Sequence, residues 1–433
     1  MSNRAAADRP ATFREVLSSA EFRAVFSAST LSWFGDNAAR AAVTALVFQR
    51  TDSTAASAAA FAISLLPWFG IGSVFAALAE RYPYRRVMII CDVTRVVTMA
   101  LVATPRMPIW AMIALLLATA LLNPPFESAR SAILPAILEG DRYIVGLSMQ
   151  RTSAQATTIL GYACGAALAG YDARLAVLFN SATFAVSAFV IWRWVAHRPP
   201  AFSVNKRIGI WRETAAGFTM VFRSRLLRAI ALVTFLSIFF SILPEGLAAG
   251  WAAHLTRSAD DRGWYQSLIM TANSVGFMIG SMSVGRFASP ATRLRLIRPF
   301  AVLAPFSLIF SLLDPNVCFV TAMSIASGFF IAGLLPATNG LFVQALPNEF
   351  RARAFGVMQS GLQICQGMAI LLGGLLADQL PVHLVVGLWA STGVVVMLWV
   401  IGVWPNPDVI RDSIAAAQLA NSAKAAAPEY ENR

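Results

Sequence analysis

Charged side chains inside long apolar segments are the residues of this chain best suited to chemistry. Asp36 lies in the first apolar segment, and Glu245 lies 209 residues further on, in the seventh. A charge at the middle of a membrane span costs ~2.5–3.5 kcal/mol on insertion scales, so a carboxylate there usually pairs or takes part in transport. Arg40 follows Asp36 by four residues and shares its helical face. These three residues are our candidates for proton coupling.

Each candidate also has a structural interpretation. Asp36 and Arg40 could form an ion pair that only stabilises the helix, and Glu245 could lie close to the outer surface. Glu245, which has no arginine one turn away in the sequence, suits a group that takes up and releases a proton. Asp36 beside Arg40 suits a group that stays ionised. Asp92 and Arg95, three residues apart in the third segment, are interpreted as a structural pair.

The segments that carry these charges are apolar enough to cross a bilayer. Hydrophobic residues make up 57% of the 433-residue chain, charged residues 13%, and the mean hydropathy is +0.63. A bilayer accepts only helices or closed barrels, and the alternating strands of a barrel are not evident. The sequence therefore predicts an all-α membrane protein with twelve transmembrane helices. The predicted spans are 22–48, 55–79, 87–104, 108–134, 144–169, 173–195, 227–253, 263–287, 299–313, 316–343, 354–380 and 382–404.

The twelve segments form two homologous sets of six. Gly72 and Gly280 each precede a basic loop, and Pro125 of the fourth segment recurs as Pro336 of the tenth, so the repeat offset is 208 to 211 residues. A parallel repeat of this kind is typical of secondary transporters, whose substrate site lies between the halves. The predicted domains are a cytoplasmic amphipathic segment at 1–21 lying along the membrane surface, six-helix bundles at 22–196 and 227–404, a cytoplasmic loop at 197–226 and a disordered tail at 405–433.

The net charge is +12, and the distribution of the basic residues along the chain indicates a membrane topology. Basic residues cluster in the even-numbered connections, as with Arg85, Arg207 and Arg295, whereas the odd-numbered connections hold few, such as Arg50 and Arg257. This asymmetry is the positive-inside signal and places both termini in the cytoplasm. We therefore expect a multi-pass protein of the bacterial inner (plasma) membrane, surrounded by lipid and without a nucleic-acid partner.

A second group of charges lies at the predicted cytoplasmic ends of the second, third and fourth segments. Charge-assisted bonds among these side chains could hold the cytoplasmic face closed in one state and release it in another. Alternatively, the basic residues only mark topology, and Glu127 pairs with Arg130 within one helical turn. The candidate gate residues are Glu80, Arg81, Arg85, Arg86, Glu127 and Arg130.

Polar side chains of other segments are candidates for a substrate cavity. Gln359, Gln363 and Gln366 follow one another at helical spacing on one face of the eleventh segment. Polar residues in spans also serve as hydrogen-bonding contacts between helices, which is the alternative for most of this set. The cavity candidates are Trp33, Gln155, Asn180, Asn273, Asn339, Gln359, Gln363 and Gln366.

Four motifs together resemble those of the major facilitator superfamily. The loop Leu78-Ala79-Glu80-Arg81-Tyr82-Pro83-Tyr84-Arg85-Arg86 resembles the loop typical of that superfamily. Trp33-Phe34-Gly35-Asp36, the fourth-segment motif at 125–135 and the loop at 346–353 resemble its enterobactin-exporter-like group. The resemblance covers nearly all of 12–404. It implies twelve helices in two bundles, alternating access, and efflux of siderophores, drugs or other small metabolites.

The sequence departs from the superfamily pattern in places. Glu80 and Ala76 stand where the loop motif usually has Asp and Gly. Gly161, Gly165 and Gly170 resemble the glycine ladder of antiporters but lack its proline, and close helix packing is the alternative interpretation.

Other chemistries lack support in the sequence. The four cysteines are scattered through apolar segments, the three histidines are far apart along the chain, and no phosphate-binding loop occurs. We therefore expect no metal site, no cofactor and no enzymatic activity. The sequence predicts a monomeric, proton-driven exporter of a small amphipathic molecule. The alternatives are an importer or a lipid-like solute flippase of the same fold, or a transport-inactive membrane sensor or scaffold.

Overall fold

The fold is known from a computed structural model, which describes residues 12–68, 82–198, 218–346 and 351–426. These residues form α-helices joined by short connections. The helices are α1 (Phe13–Ser18), α2 (Ala20–Thr51), α3 (Thr54–Ile63), α4 (Tyr84–Val102), α5 (Ile109–Leu121), α6 (Asn123–Ile137), α7 (Asp141–Trp194), α8 (Arg225–Ser241), α9 (Leu243–Gly246), α10 (Ala248–Leu255), α11 (Ala259–Phe287), α12 (Pro290–Phe306), α13 (Val317–Gln344), α14 (Arg351–Ala377), α15 (Val382–Gly402) and α16 (Pro407–Ala426).

The predicted class, an all-α membrane protein, is confirmed. Seven helical stretches of the described residues are long and apolar enough to cross a bilayer. They are Ile109–Ile137, Asp141–Trp194, Asp261–Phe287, Ala291–Leu313, Val317–Gln344, Ala354–Ala377 and Val382–Gly402. The 54-residue α7 contains the predicted fifth and sixth spans, which meet at a kink where Asp172 has φ −154° and ψ 106°.

The chain divides into two compact units. The amino-terminal unit comprises Met1–Arg207 with Thr256–Ser267, and the carboxy-terminal unit comprises Ile208–Leu255 with Leu268–Arg433. In the amino-terminal unit, α2 packs along α7 where Gly165 lies against the backbone of Ala38. The Gly161 and Gly165 stripe therefore makes the close helix packing that was its structural interpretation.

In the carboxy-terminal unit, α11 and α13 approach each other at glycines. A Cβ atom added at Gly276 would lie 1.9 Å from the carbonyl oxygen of Ile325, and one added at Gly328 would lie 2.1 Å from that of Asn273. These separations are far below van der Waals contact, so only glycine permits the observed distance between the two helices.

The predicted seventh span, 227–253, is interrupted in the structure. It consists of α8, the four-residue α9 and α10, with breaks at Ile242 and Leu247. Pro244 lies inside α9 and lacks the backbone N–H that a continuous helix would use. Glu245 is therefore held at a helix break, on a half-buried position of a short turn.

The structure describes the predicted amino-terminal amphipathic segment from Thr12 onward. The amphipathic pattern at 12–26 is divided at Ser19, whose side chain accepts a hydrogen bond from the backbone N–H of Phe22 and caps α2. Val16 and Phe22 are fully buried against Leu134 and Leu138. The apolar face of α1 thus packs against the end of α6, and the position of this segment along the membrane surface stays a prediction.

The carboxy-terminal tail was predicted to be disordered, but the structure has α16 there. Its Ala-rich sequence has high helix propensity. Ile410 and Ile414 pack against the apolar cluster that contains Trp404, and Ala417 is buried. The low mean hydropathy of this segment gave no indication of an apolar face. The apolar cluster that contains Trp404 covers that face and stabilises the helix.

A salt bridge joins the start of α2 to the residues after α7. Arg198 donates to both carboxylate oxygens of Glu21, and the backbone N–H of Ala196 donates to the same carboxylate at 3.0 Å. Burial raises the pKa of Glu21, but the hydrogen bonds and the charge of Arg198 lower it by more, so its net pKa lies below that of an ordinary glutamate. The same pair raises the pKa of Arg198.

We predict that Gly276→Ala destabilises the protein by roughly 1–3 kcal/mol, because the added methyl group must push α13 away. Gly285→Ala, on the same helix with no described atom near the added methyl group, is the matched control and should be neutral or slightly stabilising. The thermal midpoints of the purified proteins measure the difference. Equal midpoints for the two variants would contradict the packing argument.

We also predict that Glu21 stabilises the fold in a pH-dependent way. Because its folded-state pKa is lowered, the contribution is complete above the unfolded pKa of about 4.3 and is lost as the pH falls through the folded value. Glu21→Gln should therefore lower the free energy of unfolding at neutral pH by ~1 kcal/mol or less, and the thermal midpoint should fall accordingly. The difference in thermal midpoint between variant and parent should shrink below about pH 4. The exposed Glu139→Gln serves as control. A pH-independent difference would refute this account.

Candidate functional site

Asp36 lines a cavity inside the amino-terminal unit. The cavity has a volume of about 60 Å³, which is room for water molecules or a small polar group. Apolar side chains such as Val43 and Met99 form much of its wall. Its polar lining consists of Asp36, Arg40, Ser64, Thr119, Asn123 and Asn180. Two predicted proton-coupling residues and one predicted cavity residue thus meet at the same space.

Asn180 holds the carboxylate of Asp36 by a side-chain hydrogen bond. The Oδ1 atom of Asn180 accepts from the hydroxyl of Thr183 at 3.1 Å, which turns its amide N–H groups toward Asp36. This contact requires Gly35, since a Cβ atom there would lie 2.2 Å from Thr183 Oγ1 and 2.4 Å from Asn180 Oδ1. The Gly-Asp pair of the motif at 33–36 therefore has a physical basis: the glycine lets the acidic helix approach α7.

Arg40 is positioned by two aromatic residues. Its Nη1 atom donates to the hydroxyl of Tyr162 at 3.0 Å, and its guanidinium lies 5.4 Å from the ring centroid of Phe61. Its charge and that of Arg95 attract the carboxylate of Asp36. Besides attracting Asp36 on its own helix, Arg40 therefore connects α2 to α7 and to α3.

Asp92 and Arg95 form the predicted structural pair on α4. Arg95 Nη1 lies 3.4 Å from Asp92 Oδ1, and both side chains are almost fully buried. Ser187 donates to Asp92 Oδ2 at 2.6 Å, and Arg95 Nη2 donates to Asn123 Oδ1 at 2.5 Å. The rings of Phe126 and Phe184 lie about 5 Å from the guanidinium of Arg95.

The spacing of residues along the chain did not predict the electrostatic interaction between Arg95 and Asp36. Arg95 is the cation with the largest influence on the Asp36 carboxylate, and Asn123 contributes to both the cavity and the Arg95 contact. Asp36, Arg40, Asp92 and Arg95 form a cluster of two acids and two bases, which we call the buried charge cluster. The presence of Asp92 and Arg95 inside an apolar segment could have indicated a wider charge cluster. Their i,i+3 spacing, however, indicated only a pair within one helix.

Trp33, Glu127, Arg130 and Gln150 form a second polar cluster in the amino-terminal unit. Trp33 Nε1 donates to Glu127 Oε1 at 3.1 Å, Arg130 donates to Glu127, and Arg130 Nη1 donates to Gln150 Oε1 at 2.6 Å. The guanidinium of Arg130 lies 4.6 Å from the centroid of the Trp33 ring. The structure thus unites a predicted cavity residue with two predicted gate residues and connects α2, α6 and α7.

The remaining gate candidates have different placements. Arg85 donates to the backbone carbonyl of Trp192 near the end of α7, and Arg86 is exposed. Glu80 and Arg81 lie outside the described residues. The described gate candidates therefore do not form a single cluster, because Arg85 contacts α7 and Glu127 pairs with Arg130. The Glu127–Arg130 pair within one helix is the alternative interpretation given above.

The other cavity candidates differ in exposure. Gln155 is half-buried in the amino-terminal unit. In the carboxy-terminal unit, Asn339 and Gln359 are exposed, whereas the remaining three are half-buried: Asn273, Gln363 and Gln366. Their role as cavity residues stays a prediction.

The structure also brings together histidines that are distant in the sequence and for which the sequence predicts no common site. His254 and His383 both lie beside Asp314 in the carboxy-terminal unit. A wide separation along the chain did not exclude a cluster, since helices fold back on each other and bring their ends together.

Comparison with known proteins agrees with this architecture. A family model described as "Major Facilitator Superfamily" matches residues 25–326 and 266–427. No curated protein sequence matches the chain at a significant level.

Solved transporters share the fold at low sequence identity. The nucleoside transporter NupG is 12% identical with a TM-score of 0.70, covering 88% of this chain and 99% of its own. A POT family transporter in complex with 5-aminolevulinic acid is 13% identical with a TM-score of 0.70, covering 90% and 96%. A bacterial homolog of the human lysosomal transporter Spinster, in an inward-facing and occupied conformation, is 13% identical with a TM-score of 0.64, covering 94% of each chain.

We predict that breaking the Asp92–Arg95 pair is more costly than removing it. Asp92→Asn or Arg95→Gln alone leaves a buried charge without its main partner and should cost ~3–5 kcal/mol, whereas the double variant should recover part of that loss. The exposed pair Asp408–Arg411 has the same i,i+3 spacing and supplies control variants, which should change stability by less than ~1 kcal/mol. Thermal midpoints and the monodisperse yield report the outcome. If the double variant is as unstable as the sum of the single variants, charge compensation does not govern this site.

Proposed function

Because the chain belongs to the Major Facilitator Superfamily, a family of membrane transporters, we propose that it is a secondary active transporter that exports a small amphipathic molecule by alternating access. The observation that carries the proposal is the cavity beside Asp36 within membrane-spanning helices. An ionisable group on a cavity wall in such helices marks a pathway for ions, protons or substrate. Siderophores, drugs and secondary metabolites are the substrate classes that the motifs at 33–36 and 125–135 suggest by resemblance.

Proton antiport is the proposed source of energy. The repeat places one carboxylate in each half, Asp36 in α2 and Glu245 in α9. Asp36 is attracted by the guanidinium groups of Arg40 and Arg95 and is hydrogen-bonded by Asn180, so its proposed role is to hold the helix or a cationic part of the substrate. Glu245 lies on a short turn between two helix breaks, where a small rearrangement can change its access to water. We therefore assign the proton to Glu245.

The cluster of Trp33, Glu127, Arg130 and Gln150 is proposed to stabilise one state of the transport cycle. Its charge-assisted bonds connect three helices of the amino-terminal unit, so their rearrangement would accompany movement of those helices. In the predicted topology, Arg130 lies near the cytoplasmic end of the fourth span, and both termini are cytoplasmic in a bacterial inner membrane. A monomer suffices for this mechanism, since each unit carries its own polar groups.

The direction of transport remains part of the proposal. An importer or a lipid-like solute flippase would use the same fold, and a sensor or scaffold would bind without flux. Measurement in inverted membrane vesicles separates these alternatives, because an exporter accumulates its substrate inside them when an inward-acid pH gradient is imposed. Ethidium and a catecholate siderophore are suitable probes for the two proposed substrate classes.

We predict that Glu245→Gln lowers gradient-driven accumulation in inverted vesicles by at least about tenfold, because the amide cannot carry a proton. Exchange of labelled for unlabelled probe without a gradient should persist, since no net proton movement is needed. Asp36→Asn should impair both processes, or expression, because the cations around it lose their counterion.

Glu139→Gln, at an exposed position, is the matched control and should behave as the parent. If Glu245→Gln still accumulates the probe as well as the parent does, Glu245 is not the proton carrier. Equal exchange by Asp36→Asn and parent would exclude Asp36 from the binding step.

A further inference from the structure

Two of the three histidines of the chain meet at a single carboxylate in the carboxy-terminal unit. His254 Nε2 lies 3.2 Å from Asp314 Oδ1, and His383 Nδ1 lies 3.4 Å from the same oxygen. The two imidazole rings are stacked, with their centroids 5.1 Å apart. One potential ligand atom from each residue lies within 4.8 Å of the other two. We call these residues the His-Asp-His cluster.

Three separate elements position the cluster. His254 lies at the end of α10, His383 lies in the first turn of α15, and Asp314 directly follows the 3₁₀ helix Ile309–Leu313. Asp314 adopts a left-handed conformation with φ 49°, which a short polar side chain tolerates better than most residues. A turn that reverses the chain there aims its carboxylate at the two rings.

Buried contacts beneath the cluster hold these elements together. The hydroxyl of Ser311, which is fully buried, donates to the backbone carbonyl of His383 at 2.8 Å. Leu312 packs onto Gly387 so closely that a Cβ atom at Gly387 would lie 2.5 Å from it. The ligand atoms of Asp314 and His383 are therefore held by a packed scaffold, as a preorganised binding site requires.

The distances match the requirements of a metal ion. A tetrahedral ion with ligands at about 2.0–2.1 Å separates neighbouring ligand atoms by about 3.3–3.4 Å. The two separations from Asp314 Oδ1, 3.2 Å and 3.4 Å, agree with this value, and the ligand nitrogens of the two imidazoles lie within 4.8 Å of each other. Within the described residues, the largely buried Nδ1 atom of His383 makes no hydrogen bond, so its ring nitrogen is available as a ligand.

We propose that His254, Asp314 and His383 bind one divalent transition-metal ion of the Zn²⁺ class. Two imidazoles and one carboxylate suit Zn²⁺, Co²⁺ or Ni²⁺, whereas Mg²⁺ and Ca²⁺ prefer sites made of oxygen ligands. The side chains of His254 and Asp314 are 37% and 56% exposed, so the ion can enter from solvent and keep a water ligand.

A bound ion would tie α10 to α15. Because only Leu247 separates α9 from α10, the ion would restrain the segment next to Glu245. The site therefore offers a way for metal to modulate the motion of the interrupted span, and this consequence is independent of which substrate is transported.

The test uses the full-length protein carrying an affinity tag without histidines, freed of metal by a chelator and purified in detergent. Zn²⁺ is titrated against a fluorescent zinc indicator, and Co²⁺ is titrated while its visible absorption is recorded. We expect one ion per chain, an absorption band of tetrahedral or five-coordinate Co²⁺, and no competition from excess Mg²⁺.

His254→Ala and Asp314→Asn should each weaken binding at least tenfold, and His254→Ala with His383→Ala should abolish it. His197→Ala removes the remaining histidine, which lies outside the cluster, and should bind as the parent does. Size-exclusion profiles confirm folding, and His254→Ala alone, at the exposed end of α10, is decisive if the double variant is unstable. Unchanged affinity in His254→Ala, or no binding by the parent, would show that the three side chains form only a hydrogen-bonded cluster.

Discussion

Compensation of buried charge is the constraint on which the amino-terminal unit depends. Asp36, Arg40, Asp92 and Arg95 lie among apolar helices, where an uncompensated ion would cost several kcal/mol. The unit meets this cost with two acids and two bases; Asn180 and Ser187 donate hydrogen bonds to the acids, and Tyr162 and Asn123 accept hydrogen bonds from the arginines. The same bonds hold α2, α4 and α7 in one arrangement. The interactions that compensate the charges at the cavity therefore also determine how these helices pack.

This constraint connects stability to transport. A charge cluster with paired acids and bases holds its helices together, whereas a carrier must allow some groups to change partners during its cycle. The two polar clusters of the amino-terminal unit divide these demands in our proposal: the buried charge cluster holds the cavity, and the cluster around Arg130 rearranges. Glycines extend the same logic, because Gly35 lets the Asp36 helix come close enough to Asn180 for the carboxylate to be hydrogen-bonded.

The carboxy-terminal unit is distinguished by an interrupted helix in its first predicted span. Its seventh span is interrupted at Ile242 and Leu247, on either side of the short helix α9 that carries Glu245. Such interruptions in transporters occur where the backbone lines a binding site or must move. The His-Asp-His cluster lies at the far end of the same interrupted segment, and its ligands come from elements that packing, and not sequence proximity, brings together.

Hydropathy and periodicity determined the all-α membrane class and offered the pairing of Glu127 with Arg130 as one interpretation, because these depend on interactions within one helix or with the bilayer. Partner choice between helices depends on tertiary packing. Only the structure therefore decided that Arg95 acts on Asp36, that Trp33 joins the gate residues and that α16 is a helix. The same holds for His254 and His383: residues 129 apart in the sequence carry no local pattern, and only the packing of the helices places them beside Asp314.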